Sequence, residues 1–177
     1  MKYYIFLITI CLINCKNISK EANANKIEET KTEVIDKEIF KIHVDFTAQK
    51  DDIFEVYYTS ESVEENFSAN KKIRKKIGGS PQSQIVVFEL PKDVFPFNFR
   101  IDLGQNKEQD FLILHNIKIE LNGELISIDQ SLIKSFFVMN KFIEYDNGQF
   151  NLKEFNGRWD PFIIHKAVLI KKIEIEL

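Results

Sequence analysis

Cysteine, histidine and paired acids are the side chains from which most catalytic and metal sites are built, and this 177-residue chain uses them sparingly. The three histidines, His43, His115 and His165, lie far apart in sequence and show none of the short ligand spacings of a zinc site. Residues 78–82, GGSPQ, lack the second glycine that a nucleophile elbow carries after its serine, so a serine hydrolase is not indicated. The 27 acidic residues are enough to make a glycosidase pair, but spacing along strands does not say which two face each other across a cleft. What remains is recognition chemistry. Sugar C–H groups stack on flat aromatic faces flanked by planar hydrogen-bonding groups, and Trp159, Tyr57, Tyr58 and Tyr145 are the available platforms. Trp159, beside Asp160-Pro161 in an expected loop, is the best placed, with Tyr57 and Tyr58 as its companions; the competing reading is a tryptophan packed against the edge of the fold. No catalytic residue, cofactor or metal is expected.

The cysteines point elsewhere. Residues 2–17, KYYIFLITICLINCKN, begin with a basic residue, continue as an apolar run and turn polar at Asn14. That run is shorter than the ~20 residues of a membrane-spanning helix, and it has the layout of an export signal. Leu12-Ile13-Asn14-Cys15 resembles the bacterial lipobox, with Asn14 where that pattern has Gly, Ala or Ser. The resemblance implies cleavage before Cys15 and lipidation of its sulfur. The alternatives are an ordinary signal peptide with an incidental Cys15, or a core strand. Cys11 leaves with residues 1–14, so the mature chain has one cysteine and no intramolecular disulfide. Each buried acyl methylene contributes about 0.8 kcal/mol, so two or three chains hold a protein firmly on a bilayer. The expected location is therefore the bacterial cell envelope, lipid-anchored to a membrane, with the outer membrane as the expected one.

Residues 15–36 are polar, mixed in charge and almost free of large apolar side chains, the composition of a flexible tether. Residues 37–177 form one expected domain. The chain carries 24 basic and 27 acidic side chains, and loss of the signal takes one lysine with it, which moves the formal charge from -3 to -4. That balance argues against a nucleic-acid partner. Sixteen phenylalanines against one tryptophan provide an apolar interior.

The domain reads as strands. Residues 38–46, EIFKIHVDF, alternate apolar and polar positions, and residues 52–59, DIFEVYYT, are rich in β-branched and aromatic types; the two are expected to pair as a hairpin. Residues 83–90, 97–103 and 110–121 read as further strands, and Asn122-Gly123 predicts a tight turn into ELISID. A short helix is expected over residues 131–139, capped by Ser131 or Asp129. At the end, Ile173, Ile175 and Leu177 alternate with Lys172, Glu174 and Glu176, a strand pattern. Short strands between turn signals predict an all-β fold, an antiparallel, jelly-roll-like β-sandwich with at most one or two short helices. The basic run NKKIRKKIGG, residues 70–79, has two readings: a surface for anionic glycans or lipid headgroups, or a lysine-protected edge strand. Arg100 and Asp102, two apart on one strand face, read as a structural clamp.

VVFELP followed by FNFRIDLGQNKEQDFLILHNIKI, and later NGRWDPFIIH, resembles β-sandwich modules of bacterial surface-polysaccharide glycosyltransferases and related envelope proteins. That resemblance spans most of residues 38–177 and implies a carbohydrate-binding jelly roll without a common catalytic constellation. The functional expectation is a lipid-anchored envelope protein with a non-catalytic binding or assembly role, glycan recognition being the resemblance-based form. The alternative is a protein-interaction or inhibitor lipoprotein that binds an envelope partner through an edge strand or the basic run. A third class, a small envelope hydrolase, requires paired acids in a cleft and a raised carboxyl pKa.

Overall fold

A computed structural model describes residues 39–177 except Asn147. The signal segment, Cys15 and the tether, expected over residues 1–36, lie outside the described residues. The domain is an antiparallel β-sandwich. One sheet takes the order β4-β1-β6-β10-β9, from Ser80–Glu89 (β4), Lys41–Ala48 (β1), Phe111–Leu121 (β6), Gln149–Leu152 (β10) and Ile143–Asp146 (β9), with Glu124–Asp129 (β7) also paired to β6. The other takes the order β3-β2-β5-β11-β8, from Lys72–Ile77 (β3), Asp52–Thr59 (β2), Asn98–Asp102 (β5), Phe162–His165 (β11) and Phe137–Met139 (β8).

Alternation explains the layers. In β1 every second residue is buried, so Ile42, Val44, Phe46 and Ala48 face inward and Lys41, His43, Asp45 and Thr47 face outward. Phe54, Val56 and Tyr58 of β2, with Phe99 and Ile101 of β5, meet them from the opposite sheet. The rings of Phe46 and Phe54 approach to 4.7 Å between centroids, and those of Phe40 and Phe99 to 6.4 Å.

The hairpin expected between the first two strands does not form. β1 pairs with β4 and β6, whereas β2 pairs with β3 and β5 in the other sheet. Both strands carry a phenylalanine-rich face, and placing them in opposite sheets lets each cover the other, which neighbours in one sheet cannot do. Asn122-Gly123 does join β6 to β7 as a tight turn: both residues have positive φ, 55° and 83°, the backbone that a type I′ hairpin turn demands. The basic run forms β3, an edge strand of its sheet.

The helix expected over residues 131–139 is shorter than its pattern. A 3₁₀ turn, Gln130–Leu132, is capped by Asp129, which accepts a hydrogen bond from the Ser131 N–H at 2.9 Å, and one helical turn follows, Ile133–Phe136 (α1). Phe137 then turns into β8, completing the second sheet. The terminal segment is a helix, Ala167–Glu176 (α2), not the strand its alternation predicts. Leu169 and Ile173, one helical repeat apart, are fully buried, and the helix packs on α1 and β7. Lys172 pairs with Glu176 on the outer side. Ile175, inward in the strand reading, is 73 % exposed.

The two readings of this segment give different mutational patterns. Leu169→Ala and Ile173→Ala are expected to cost about 2–5 kcal/mol each in chemical denaturation. Ile175→Ala should stay within about 0.5 kcal/mol of the parent. Equal losses at positions 173 and 175 would restore the strand.

Candidate functional site

The outer face of the β3-β2-β5-β11-β8 sheet carries a concavity of about 470 Å³, lined by Glu55, Tyr57, Arg100, Asp102, Gly104, Gln105, Lys107, Gly157, Trp159 and Asp160. The same alternation that sends Phe54, Val56 and Tyr58 into the core turns Glu55 and Tyr57 outward on β2. On neighbouring β5, Arg100 and Asp102 share that face. Register places Glu55 opposite Asp102 and Tyr57 opposite Arg100, so two carboxylates, a guanidinium and a phenol converge.

These charges are tied to one another. Glu55, only 3 % exposed, is paired with Lys72 at 2.9 Å and with Arg74 at 3.1 Å from β3, and the Gln105 amide donates to it at 3.2 Å. Arg100 donates to Asp102 at 2.8 Å and lies 3.8 Å from Asp160. Its guanidinium also sits over the rings of Phe162 at 4.3 Å, Tyr57 at 4.6 Å and Phe67 at 5.7 Å. Phe67 is carried by the segment between β2 and β3, which Glu65 folds back by accepting the N–H groups of Ser60 and Glu61, both at 2.9 Å.

Two turns build the walls. Asp52 Oδ1 accepts three backbone N–H groups, from Ile53 and Gln105 at 2.7 Å and from Asn106 at 3.0 Å, and so fixes the loop after β5 to the start of β2. Gly104 makes that approach possible: its φ is +121°, and a Cβ there would run into the Asp52 carboxylate. On the opposite wall, Asn156 and Gly157 have positive φ, and Phe155 and Arg158 exchange two backbone hydrogen bonds of 3.1 Å. This reversal delivers Trp159 and Asp160 to the rim.

Several buried polar atoms here have no hydrogen-bond partner within the chain: Asp102 Oδ1, Arg100 Nε and Trp159 Nε1 among the lining residues, and Asp52 Oδ2 behind Gly104. Burial pushes the Asp102 carboxyl up to about 7; the adjacent Arg100 acts in the opposite sense, and the negative charges of Asp160 and Glu55 add to the rise.

Of the aromatic residues singled out from sequence, Trp159 and Tyr57 come together in this concavity. Tyr58 does not: it is 7 % exposed and belongs to the core, because adjacent strand residues point to opposite faces. Tyr145 lies in the other sheet, where its hydroxyl donates to the Gln130 carbonyl at 3.1 Å. Trp159 is half-buried, with part of its ring against the core. Tyr57 is flanked by Arg100 and by Lys72, the latter 5.1 Å from its centroid, so Trp159 is the better stacking surface. Arg100 and Asp102 do form the clamp expected of them, and they also line the concavity. Glu55 and Gln105 were not singled out from the sequence; a lone acid between Phe54 and Val56, on the face of Tyr57, is the signal that marks the first.

The histidines stay apart. His43 bonds Glu120 at 2.9 Å and His115 bonds Thr47 at 2.9 Å on the outer face of one sheet, while His165 of the other lies against Phe99, its pKa lowered by burial. Among the described residues no three His, Cys, Asp or Glu side chains are placed to hold a metal ion, and no helix is long and apolar enough to cross a membrane.

The raised Asp102 pKa sets a pH dependence. An unfolded aspartate titrates near ~3.9, so between about pH 4 and 7 the folded state binds more protons than the unfolded one. The contribution of Asp102 to stability is therefore greatest below that window and falls as pH rises through it, by a few kcal/mol at most, since each pH unit between the two titration points is worth ~1.4 kcal/mol. Thermal unfolding across pH 5–8 should show a smaller decline for Asp102→Asn than for the parent; parallel curves would show that Asp102 titrates normally. No protein-family model, curated protein or solved structure matches this chain.

Proposed function

We propose that this chain is a lipid-anchored protein of the bacterial cell envelope, held on the outer membrane through Cys15, whose β-sandwich binds glycan without catalysis. The observation that carries the glycan reading is the concavity in which Trp159 and Tyr57 stand beside Arg100, Asp102 and Gln105. A tryptophan face next to planar hydrogen-bonding side chains is the chemistry that a sugar ring requires. The sequence of residues 2–17 supports the anchor, and the polar residues up to 36 supply the reach from membrane to domain.

The arrangement of the acids favours binding over hydrolysis. Glu55 and Asp102 line one concavity and the Asp102 carboxyl is raised to about 7, the two features a small hydrolase requires, but Glu55 is buried under two cations and Asp102 is bonded to Arg100. A nucleophile or a water-activating base needs an accessible carboxylate.

A second reading rests on β4. This ten-residue strand ends its sheet, and Ile85 on it is 62 % exposed, features that suit strand addition by a protein partner.

Two measurements separate these elements. Mass spectrometry of the membrane-extracted protein beside Cys15→Ala should show a diacyl or triacyl mass on residue 15 that the variant lacks; an unmodified N-terminus cleaved elsewhere removes the anchor. On immobilised glycans, Trp159→Ala should weaken binding at least tenfold while Ile85→Ser leaves it unchanged. Stoichiometric capture of an envelope protein that Ile85→Ser abolishes, without glycan binding, transfers the function to the β4 edge.

A further inference from the structure

Every charged residue in the concavity already faces an opposite charge from its own chain. Glu55 is held by Lys72 and Arg74, Arg100 by Asp102 and Asp160, and Lys107 by Glu154 at 2.8 Å. An acidic ligand gains an attraction there only by breaking one of these pairs, and it meets Glu55, Asp102 and Asp160 as it does so. An amino-bearing ligand meets Arg100 and Lys107 under the same condition. Exchanging one ion pair for another in a partly buried site yields little net free energy, because both partners must first be desolvated.

The atoms left over have a different character. Arg100 Nε and Trp159 Nε1 can only donate, and Asp102 Oδ1, on a residue nine-tenths buried, accepts as carboxylate and can donate as acid. A carboxylate or phosphate satisfies the two donors but is repelled by Asp102 in its ionised form and by Asp160 beside it; an ammonium suits the carboxylate and leaves both donors unserved. A hydroxyl both donates and accepts, so neighbouring hydroxyls serve all three atoms without a net charge. These atoms are buried in the ligand-free chain, so a hydroxyl reaches them only where a neighbouring side chain shifts, and the Arg100–Asp160 pair, 3.8 Å long with the Asp160 side chain 49 % exposed, is the loosest ion pair there.

Resting on the reading of this concavity as a glycan site, we propose that it selects neutral sugars, bound through adjacent hydroxyls at Arg100, Asp102 and Trp159, and discriminates against uronates and amino sugars. The volume of about 470 Å³ lies in the small-molecule range, which fits a short segment of a chain rather than an extended polymer face.

The test uses the full-length protein in detergent on an array of neutral, uronate-containing and glucosamine-type oligosaccharides, followed by calorimetry on the best of each class. The expected result is binding to a neutral oligosaccharide, with charged counterparts at least tenfold weaker. Trp159→Phe, which keeps an aromatic body and removes one donor, should lose several-fold in affinity for the neutral ligand at an unchanged unfolding temperature. Binding to uronates or amino sugars as tight as to neutral sugars overturns the selectivity and leaves the glycan reading intact. Neutral binding unaffected by Trp159→Phe and by Asp102→Ala, in folded variants, places the sugar elsewhere and overturns the assignment. Failure of every oligosaccharide to bind removes the glycan reading itself, and the selectivity with it.

Discussion

The structure depends on the packing of two sheets through their phenylalanines. Phe40, Phe46, Phe54, Phe88, Phe99, Phe137 and Phe150 are all fully buried, and they come from both sheets. Because a strand exposes alternate residues to opposite faces, committing Phe54 and Phe99 to the interior also commits Glu55, Arg100 and their neighbours to the outside. The outer cluster of charges is thus a geometric companion of the core. A one-residue slip of β2 or β5 would bury the charges among the rings and expose the rings to water.

Keeping those charges half out of water is costly by itself. Loss of hydration at Glu55 and Asp102 is offset only because cations arrive from adjacent strands: Lys72 and Arg74 on one side, Arg100 on the other. The edge strand β3 therefore has two roles. Its Lys75, on the face of Ile73 and Ile77, and its Lys76, on the opposite face, are exposed and discourage pairing with another strand, while Lys72 and Arg74 close over Glu55. The sequence reading of this stretch as a protected edge agrees with its place in the sheet, but charge counting along the chain could not divide its basic residues into these two groups.

The sandwich class was legible in the sequence because strand alternation and turn chemistry are local. Asn122-Gly123 forces its reversal whatever surrounds it, and β1 shows its period over its whole length. The terminal helix was not legible because its residues satisfy both periods: Ile173 and Ile175 alternate, yet Leu169 and Ile173 also lie one helical turn apart. Only tertiary packing, which buries the second pair, decides between them. The same limit applies to the site. Trp159 and Tyr57 could be picked out as exposed aromatic candidates, but choosing Tyr57 over Tyr58 needs the absolute phase of β2. The meeting of Glu55 with Asp102 is set by strand register between β2 and β5, and so is invisible to motif spacing. Gly104 carried a hint in being a glycine at a strand end, but its partner Asp52 lies at the start of a different strand.

The Asp52 clamp has a consequence for how the concavity meets a guest. Three amide hydrogens converge on one carboxylate oxygen, and two of them belong to a loop that forms a wall of the cavity. The expected consequence is slow amide exchange at Gln105 and Asn106 although they lie outside the ladders, since their donors are held by a carboxylate at the start of β2. The loop's backbone order is thus acquired during folding and not at the moment of encounter. The entropy of ordering that wall is therefore absent from any association step at the concavity, and this part of its rim is set before a guest arrives.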